Sequence, residues 1–336
     1  MVQRSKTVRK MRKIQTIITI FLLATACTSK TGRWESFRIV NDCSPKNDIR
    51  SICFDRDGKM WLGTWNGVYT DANGQWLAQG PETYVETLFI APDNTKWVGL
   101  WGGGVFKSET GEKWEKVQEA SPTNSVNVIS ADNNGSIWIG DWGGGAVNLD
   151  GKGEIDVNNK AGGVSNFDGK KWIVYKAEDV KLGDNSVISI TCDLKNAMWF
   201  GTYHGLSKFE NGAWTLYNKQ NSKLPDNDVY SLASDSKGNV WAGTCNGLVR
   251  ISGEKWDVFR KENSGVVDNL ILSIAEDSSG NIWVGTSKGV SVFDGSVWKT
   301  FTKENSMLVD NRVQVIKVSD KKVYLGTSNG ISVFEE

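Results

Sequence analysis

The sixteen tryptophans of the chain recur at three positions of one repeating unit, and this regularity constrains the fold more than any other feature. Tyr324 and six tryptophans lie two residues before a glycine in a short apolar run: Trp61, Trp97, Trp138, Trp199, Trp241 and Trp283. Seven more lie in a second run shortly after a glycine: Trp34, Trp76, Trp114, Trp172, Trp214, Trp256 and Trp298. The last three, Trp65, Trp101 and Trp142, follow the first kind by four residues. Self-similarity at such a period is typical of a repeat architecture.

The clearest copy of the unit covers residues 270–303, where four short runs rich in β-branched and aromatic residues are separated by Gly, Asn and Asp turns. This pattern predicts four antiparallel strands joined by hairpin turns. Such sheets repeated around an axis form a β-propeller of four to eight blades. Seven copies therefore predict an all-β, seven-bladed β-propeller with four-stranded antiparallel blades.

The two ends of the chain predict how the ring closes. The seventh unit ends after its third run, at residues 330–334, and the missing fourth run lies at residues 32–37. We expect the N-terminal strand to complete the last blade, because an unpaired edge strand is an aggregation hazard. The propeller would then span residues 32–336.

Residues 1–26 have the pattern of an export signal, with six basic residues, an apolar run and the small residues Ala24-Thr25-Ala26 before Cys27. This end resembles the lipobox of bacterial lipoproteins, which predicts lipidation of Cys27 and a short tether at residues 27–31. Ala24 stands where leucine is more usual, so plain secretion is the alternative, with Cys27 incidental. We expect an extracytoplasmic protein in the periplasm or at the cell surface, held to the membrane only by its N-terminal lipid.

Charge and cysteine content narrow the function classes. Removing the six basic residues of the signal leaves 33 basic against 39 acidic residues, a net charge near −6. Nucleic acid is therefore not expected as a partner.

The cysteines after Cys27 are scattered through different repeats and specify no disulfide framework: Cys43, Cys53, Cys192 and Cys245. Buried free thiols are therefore expected.

The unit Asp-x-x-Gly-Asn-x-Trp-x-Gly-Thr resembles the two-component regulator propeller repeat. Residues 240–244 and 282–286 carry this resemblance, as do the Trp-Gly-Gly-Gly turns at Trp101 and Trp142. The resemblance implies a sensor propeller of the kind that, in hybrid regulators, reads carbohydrate-derived ligands outside the cytoplasm. The sequence ends at Glu336 within the last repeat, so we expect no kinase and no output domain of its own.

The turns between second and third strands form the predicted ligand site, because they share a face with the connections between blades. They present an aromatic residue in the first four blades: Trp65, Trp101, Trp142 and Tyr203. A flat aromatic ring gives a sugar an apolar face to stack on, so we predict a carbohydrate-binding surface here, with His204 and Asp141 nearby. The alternative is that each ring packs against the neighbouring blade.

Other polar positions have structural interpretations. An asparagine precedes the innermost strand in six blades, where we expect it to form the turn: Asn47, Asn124, Asn185, Asn227, Asn269 and Asn311. An aspartate opens the first turn in five blades, where the same role is expected: Asp55, Asp132, Asp193, Asp235 and Asp277. An insertion between Gly143 and Gly162 predicts a solvated polar loop. Its acidic and amide side chains do not match a calcium loop, so no metal is expected: Asp150, Glu154, Asp156, Asn158 and Asn159.

Catalytic residues are few. His204 is the single histidine, whereas seven-bladed streptogramin lyases, which have a related repeat, rely on more than one. We therefore predict a non-catalytic binding propeller without a cofactor. The alternatives are a protein-interaction scaffold in a surface sensing or uptake assembly, and a glycoside hydrolase or lyase in which Asp141 works with Asp184, Asp226 or Asp228.

Overall fold

The computed structural model describes residues 27–29, 32–72, 74–118, 120, 124–143 and 162–335. Within them the chain forms the predicted seven-bladed β-propeller of antiparallel four-stranded sheets. The proposed signal at 1–26 and the insertion residues 144–161 lie outside the described residues. No helix of the described part is long and apolar enough to cross a membrane.

In blades 1 to 6 the four strands lie side by side in their order along the chain. A 3₁₀ turn, η1 (Pro45–Asn47), leads into blade 1, which consists of β3 (Ile49–Phe54), β4 (Met60–Thr64), β5 (Gly67–Ala72) and β6 (Gln75–Ala78). Blade 2 consists of β7 (Val85–Ile90), β8 (Lys96–Leu100), β9 (Gly104–Ser108) and β10 (Glu115–Val117). Blade 3 consists of β11 (Val126–Ala131), β12 (Ile137–Asp141), β13 (Val164–Phe167) and β14 (Trp172–Tyr175). Blade 4 consists of β15 (Val187–Cys192), β16 (Met198–Thr202), β17 (Gly205–Glu210) and β18 (Ala213–Tyr217).

The remaining blades complete the circle. Blade 5 consists of β19 (Val229–Ser234), β20 (Val240–Thr244), β21 (Gly247–Ser252) and β22 (Lys255–Phe259). Blade 6 consists of β23 (Ile271–Glu276), β24 (Ile282–Thr286), β25 (Gly289–Phe293) and β26 (Trp298–Phe301). Blade 7 combines both ends of the chain: β27 (Val313–Ser319), β28 (Lys322–Thr327), β29 (Gly330–Glu335), β2 (Gly32–Phe37) and β1 (Cys27–Ser29).

The ring closes in blade 7 through the predicted N-terminal strand. Strand β2 pairs antiparallel with β29 over five residues, from Arg33 opposite Glu335 to Phe37 opposite Ile331. The innermost strands of blades 7 and 1, β27 and β3, contact each other as the other consecutive innermost strands do. Residues 27–29, which we expected to be a tether, form strand β1 on the outer edge of β2, with Cys27 opposite Trp34.

The core lies between the blades. The tryptophans of the second strands are buried there, from 1 % exposed at Trp61 to 6 % at Trp97. Trp199 of blade 4, for example, packs with Val229 and Val249 of blade 5. Close-packed aromatic interfaces of this kind bury most of the apolar surface that stabilises the ring.

In five blades the carboxylate of an aspartate holds this tryptophan in place. The aspartate that opens the first turn accepts two backbone N–H groups on Oδ1 and the indole N–H on Oδ2. The Nε1–Oδ2 distances run from 2.7 to 3.4 Å in the pairs Asp55–Trp61, Asp132–Trp138, Asp193–Trp199, Asp235–Trp241 and Asp277–Trp283. The turn aspartates thus have the structural role predicted for them.

Blade 2 departs from this pattern. Ala91 stands at the position of the turn aspartate, and the buried Nε1 of Trp97 has no hydrogen-bond partner among the described residues. An unsatisfied buried donor is destabilising. Blade 2 therefore lacks the aspartate–tryptophan contact that is present in blades 1, 3, 4, 5 and 6.

Cysteines do not pair in the described chain. Cys43, Cys53, Cys192 and Cys245 are all free. The buried Cys53 donates its thiol to the carbonyl oxygen of Leu88 at 3.0 Å, and burial raises the pKa of this thiol. The expectation of buried thiols holds for Cys53 alone, since Cys192 and Cys245 are half-buried and Cys43 is exposed.

Removing the closing strand should open the ring. A chain starting at Asn41 loses β2 and leaves β29 with an unpaired edge, so we expect aggregation or a broad, non-cooperative melt by circular dichroism. A chain starting at Gly32 is the control, because it loses only β1 and should melt cooperatively. Cooperative melting of a soluble monomer starting at Asn41 would contradict the closure.

The aspartate–tryptophan contact should be measurable in stability. We expect Asp235→Ala to lower the free energy of unfolding by about 3 kcal/mol, because it leaves the buried Trp241 indole and two backbone donors without their acceptor. The exposed turn variant Asp294→Ala, whose carboxylate binds backbone N–H groups but no indole, is the control in urea denaturation. Ala91→Asp should raise the stability by roughly 1 kcal/mol by supplying an acceptor for Trp97. An equal cost for Asp235→Ala and Asp294→Ala would contradict this account.

Candidate ligand-binding site

The turns between second and third strands are held by a threonine in five blades. The hydroxyl of Thr202, for example, donates to the carbonyl oxygen of Gly205 at 2.9 Å and accepts the N–H of His204 at 3.1 Å. Gly205 has φ +133°, a conformation that favours glycine. The turn is therefore rigid, and its two central side chains stand on the face that we call the upper face.

The four aromatic residues predicted for this face are neighbours in space. Trp101 and Trp142 have ring centroids 5.4 Å apart, and Trp142 meets Tyr203 edge to face at 5.7 Å. Tyr84 connects Trp65 to these rings, since its ring centroid lies 5.1 Å from that of Trp65 and 6.3 Å from that of Trp101. The rings thus contact neighbouring blades, as the alternative interpretation held, and Trp65 still has 51 % of its surface exposed.

Tyr230 extends the series at the other end, with its centroid 6.2 Å from that of Tyr203. Sequence analysis missed Tyr84 and Tyr230. Both lie at the start of an innermost strand, but at different repeat positions: Tyr84 directly precedes β7, and Tyr230 is the second residue of β19. We call the six residues the aromatic row: Trp65, Tyr84, Trp101, Trp142, Tyr203 and Tyr230.

A β-bulge at the second residue of each innermost strand changes the direction of that residue's side chain relative to those of its neighbours. The pairing register shifts at this residue in all seven blades, and such bulges redirect a side chain. The residues concerned differ from blade to blade: Arg50, Glu86, Asn127, Ile188, Tyr230, Leu272 and Gln314. The bulges therefore supply a varied ring of side chains around the axis.

Arg50 lies beneath the Trp65 end of the aromatic row. Its guanidinium carbon is 5.8 Å from the Trp65 ring centroid and 5.4 Å from that of Tyr84. It donates a hydrogen bond to the Tyr84 hydroxyl, and its nitrogens lie 3.8 Å from Glu86 and 3.9 Å from Asp48. Burial alone lowers the pKa of Arg50, but Glu86, Tyr84 and Asp48 together raise it. The cation is thus permanent and fixed in place.

Tyr84 also stays protonated. Burial is the main reason that its pKa is raised, and Glu86 adds to the effect. This end of the row therefore offers a fixed guanidinium and two carboxylates beside two aromatic faces.

The other end of the row is acidic. His204 Nδ1 lies 2.7 Å from Asp184 Oδ2, on the exposed rim beside Tyr203. Asp226, Asp228 and Cys245 bring their donor atoms within 4.8 Å of one another. This is metal-ligand spacing, but the Lys219 ammonium already lies 3.2 Å from Asp226 Oδ2.

The two carboxylates at this end have opposite pKa shifts. The hydrogen bond and charge of Lys219 outweigh burial and lower the pKa of Asp226. Burial first, and then the charge of Asp226, raises the pKa of Asp228. Burial and both aspartates raise the pKa of the Cys245 thiol to about 11.

Asp141 does not reach the exposed surface of the row. It ends β12 at the position where other blades have the turn threonine, and it is 0 % exposed. The sequence analysis placed Asp141 near the predicted carbohydrate-binding surface, but the structure buries it beneath the turn. Its N–H donates to the carbonyl oxygen of Gly163 at 3.1 Å.

The asparagines before the innermost strands hold the connections between blades. Asn269 accepts the N–H of Lys261, eight residues earlier, at 2.8 Å, and Asn227 and Asn311 accept in the same way. Their amides are used in loop structure, as predicted. They add no ligand-binding group to the site.

The repeats match a known family. Residues 44–66, 223–246 and 265–288 match the two-component regulator propeller. The chain carries the repeat of that family. No curated protein sequence matches it.

Three solved structures with a similar fold come from bacteria. One is the extracellular domain of a putative hybrid two-component system from B. thetaiotaomicron, with TM-score 0.73 and 24 % identity over 90 % of this chain. The chain spans 41 % of the length of that protein. Virginiamycin B lyase from Staphylococcus aureus has TM-score 0.68 and 13 % identity, covering 91 % of this chain and 99 % of the lyase.

A third similar structure is PorZ of Porphyromonas gingivalis, described as a bacterial surface component of the type-IX secretion system. Its TM-score is 0.65 and its identity 19 %, over 88 % of this chain and 48 % of PorZ. These likenesses establish a shared fold.

The reactivity of the Cys245 thiol should report on the negative charge at the acidic end of the aromatic row. We expect its alkylation by iodoacetamide, followed by peptide mass spectrometry, to be slow at pH 8 and to rise with pH towards about 11. Asp226→Asn should speed the reaction severalfold at pH 8, because it removes a negative charge that opposes the thiolate. The exposed Cys43 serves as the internal control. Equal rates in wild type and Asp226→Asn would contradict this assignment of the charge.

Proposed function

We propose that this regulator propeller binds a carbohydrate on its upper face, outside the cytoplasm. The observation that supports the proposal is the aromatic row, whose six rings follow one another at 5.1 to 6.3 Å across five blades. Each ring offers an apolar face or edge, and several in succession suit the successive rings of an oligosaccharide.

Polar groups at both ends of the row suit hydroxyl groups. Arg50 with Asp48 and Glu86 lies at one end, and Asp184 with His204 at the other. Ligand pockets typically combine apolar walls with a few fixed polar groups that set orientation. A neutral sugar can donate to these carboxylates and accept from the guanidinium.

The family and the similar structures support an extracytoplasmic role. The similar domain from B. thetaiotaomicron is extracellular, and PorZ is a surface component. In this proposal Cys27 carries the lipid, which holds the propeller at the membrane as a binding component. A protein ligand on the same face is the alternative.

A second candidate function rests on Asp226 and Asp228. Their carboxylates are close, and their pKa values are shifted in opposite directions, which is the pattern of a nucleophile and an acid in glycosidases. If the propeller hydrolyses glycosides, release of reducing ends from an oligosaccharide should be lost in Asp228→Asn. Turnover that survives this change would exclude the pair.

The aromatic row can be tested by binding. We expect Trp101→Ala together with Trp142→Ala to weaken binding of an oligosaccharide chosen from a glycan array by tenfold or more in calorimetry, because two stacking faces are lost. Leu77→Ala with Val297→Ala is the control, since both side chains are exposed and lie outside the row. Unchanged affinity in the tryptophan variant would rule out the row as the binding surface.

A further inference from the structure

Contacts between adjacent blades differ around the ring. In blades 4, 6 and 7 a phenylalanine near the end of the third strand packs on the tryptophan of the preceding blade, and blade 3 has Phe167 at the equivalent position. Centroid distances are 5.6 Å for Phe209 with Trp138, 6.3 Å for Phe293 with Trp241 and 5.1 Å for Phe334 with Trp283. Blade 5 has Ile251 at this position, in the same cluster as Trp199.

This smaller side chain coincides with a crevice of about 520 Å³ between blades 4 and 5. Trp199, Tyr217 and Trp256 form an aromatic wall, in which the Trp199 and Tyr217 rings stack at 6.0 Å and Tyr217 lies 5.3 Å from Trp256. Ile251 and Val240 line it as well. The volume is within the range of small-molecule sites.

The crevice opens on the face opposite the aromatic row, among the first turns of both blades. In three other blades the residue after the turn aspartate donates its N–H to a side chain of the next blade: Arg56 to Asn94, Asn133 to Asn196 and Ser236 to Glu276. Leu194 holds this position in blade 4, and 64 % of it is exposed at the mouth of the crevice. No such bond joins Leu194 to blade 5 within the described part of the chain.

Positive charge lines the mouth. Lys195, Lys208 and Lys237 face the crevice, and the lining contains a single carboxylate, Asp193. Both oxygens of Asp193 already accept hydrogen bonds from backbone N–H groups and from Trp199. Lys208 is paired with Glu210 at 2.8 Å, whereas no carboxylate of the described residues lies within ion-pair distance of Lys195 or Lys237.

We propose that this crevice is a second binding site, which takes an anionic ligand with a ring. The ring packs against Tyr217 and Trp256, and the carboxylate lies between the Lys195 and Lys237 ammonium groups. A uronic acid sugar and an aromatic carboxylic acid share this chemistry. The site is independent of the upper face.

The experiment compares acids with uncharged counterparts of the same shape. Digalacturonate and 3-phenylpropionate are titrated by calorimetry against their neutral forms, digalacturonate dimethyl ester and 3-phenylpropanamide. We expect at least one acid to bind tenfold or more tightly than its neutral form, and its affinity to fall as NaCl rises from about 50 mM to about 500 mM. Binding by only one acid identifies the source of the ring.

Ile251→Phe is the decisive variant, because it introduces the residue that fills the equivalent space in blades 4, 6 and 7. We expect it to keep the melting temperature of the wild type and to reduce affinity for the acid at least tenfold. Lys195→Gln with Lys237→Gln, both on the surface, should reduce affinity and its salt dependence even if Ile251→Phe proves unstable. Lys170→Gln with Lys171→Gln removes the same charge from an exposed turn of blade 3 and should bind as the wild type does.

Several results would overturn the proposal. Absence of binding by both acids, equal binding of acid and neutral form, or full affinity in the Lys195 and Lys237 double variant would each do so. Full affinity in a folded Ile251→Phe protein would do so as well. Trp101→Ala with Trp142→Ala should leave binding of the acid unchanged, so loss of upper-face binding and loss of this site are distinguishable.

Discussion

The contact between a buried indole N–H and a turn carboxylate is the interaction on which the rest of the structure depends. Six of the blades bury a second-strand tryptophan against a neighbour, and a buried N–H without an acceptor is costly. Asp235 supplies this acceptor for Trp241, with the indole N–H bonded at 2.8 Å, and it also accepts the two backbone N–H groups of its own turn. One residue thus shapes the hairpin and fixes the ring that packs between blades.

The aspartate–tryptophan contacts lie in the core and on the face opposite the upper face. The side chains of the upper face can therefore vary without loss of these contacts. In five blades the turns there are held by buried threonine hydroxyls and glycines with positive φ, so the exposed side chain has no part in holding the turn. The bulged residues behave in the same way, since the bulge is a backbone property and recurs with Arg, Glu, Asn, Ile, Tyr, Leu and Gln at the same place. The aromatic row and the Arg50 group occupy positions that the fold itself leaves open.

Features that recur at a fixed position of the repeat could be predicted from the sequence, whereas features that depend on the packing of different blades could not. Strands, blade count, the closing strand and the four aromatic turn residues were predictable, because each occupies one position of a repeat with a fixed period. Tyr84 and Tyr230 occupy two other positions, and only the geometry of the ring places them in the same row. Burial was also beyond the pattern: Asp141 aligns with a threonine, and alignment cannot tell that a carboxylate there lies fully buried. The crevice beside Ile251 depends on side-chain size across two blades, which appears as an ordinary apolar substitution in the sequence.

The pairing of β2 with β29 has a consequence for the order of events in synthesis. Strand β2 is made long before β29, so the ring cannot shut until almost all of the propeller has emerged. Contacts between such distant segments are slow to form, because the loop entropy is lost before the contact stabilises the chain. Blades 1 to 6 are built from local hairpins, whereas blade 7 needs both ends of the chain, so we expect it to close last.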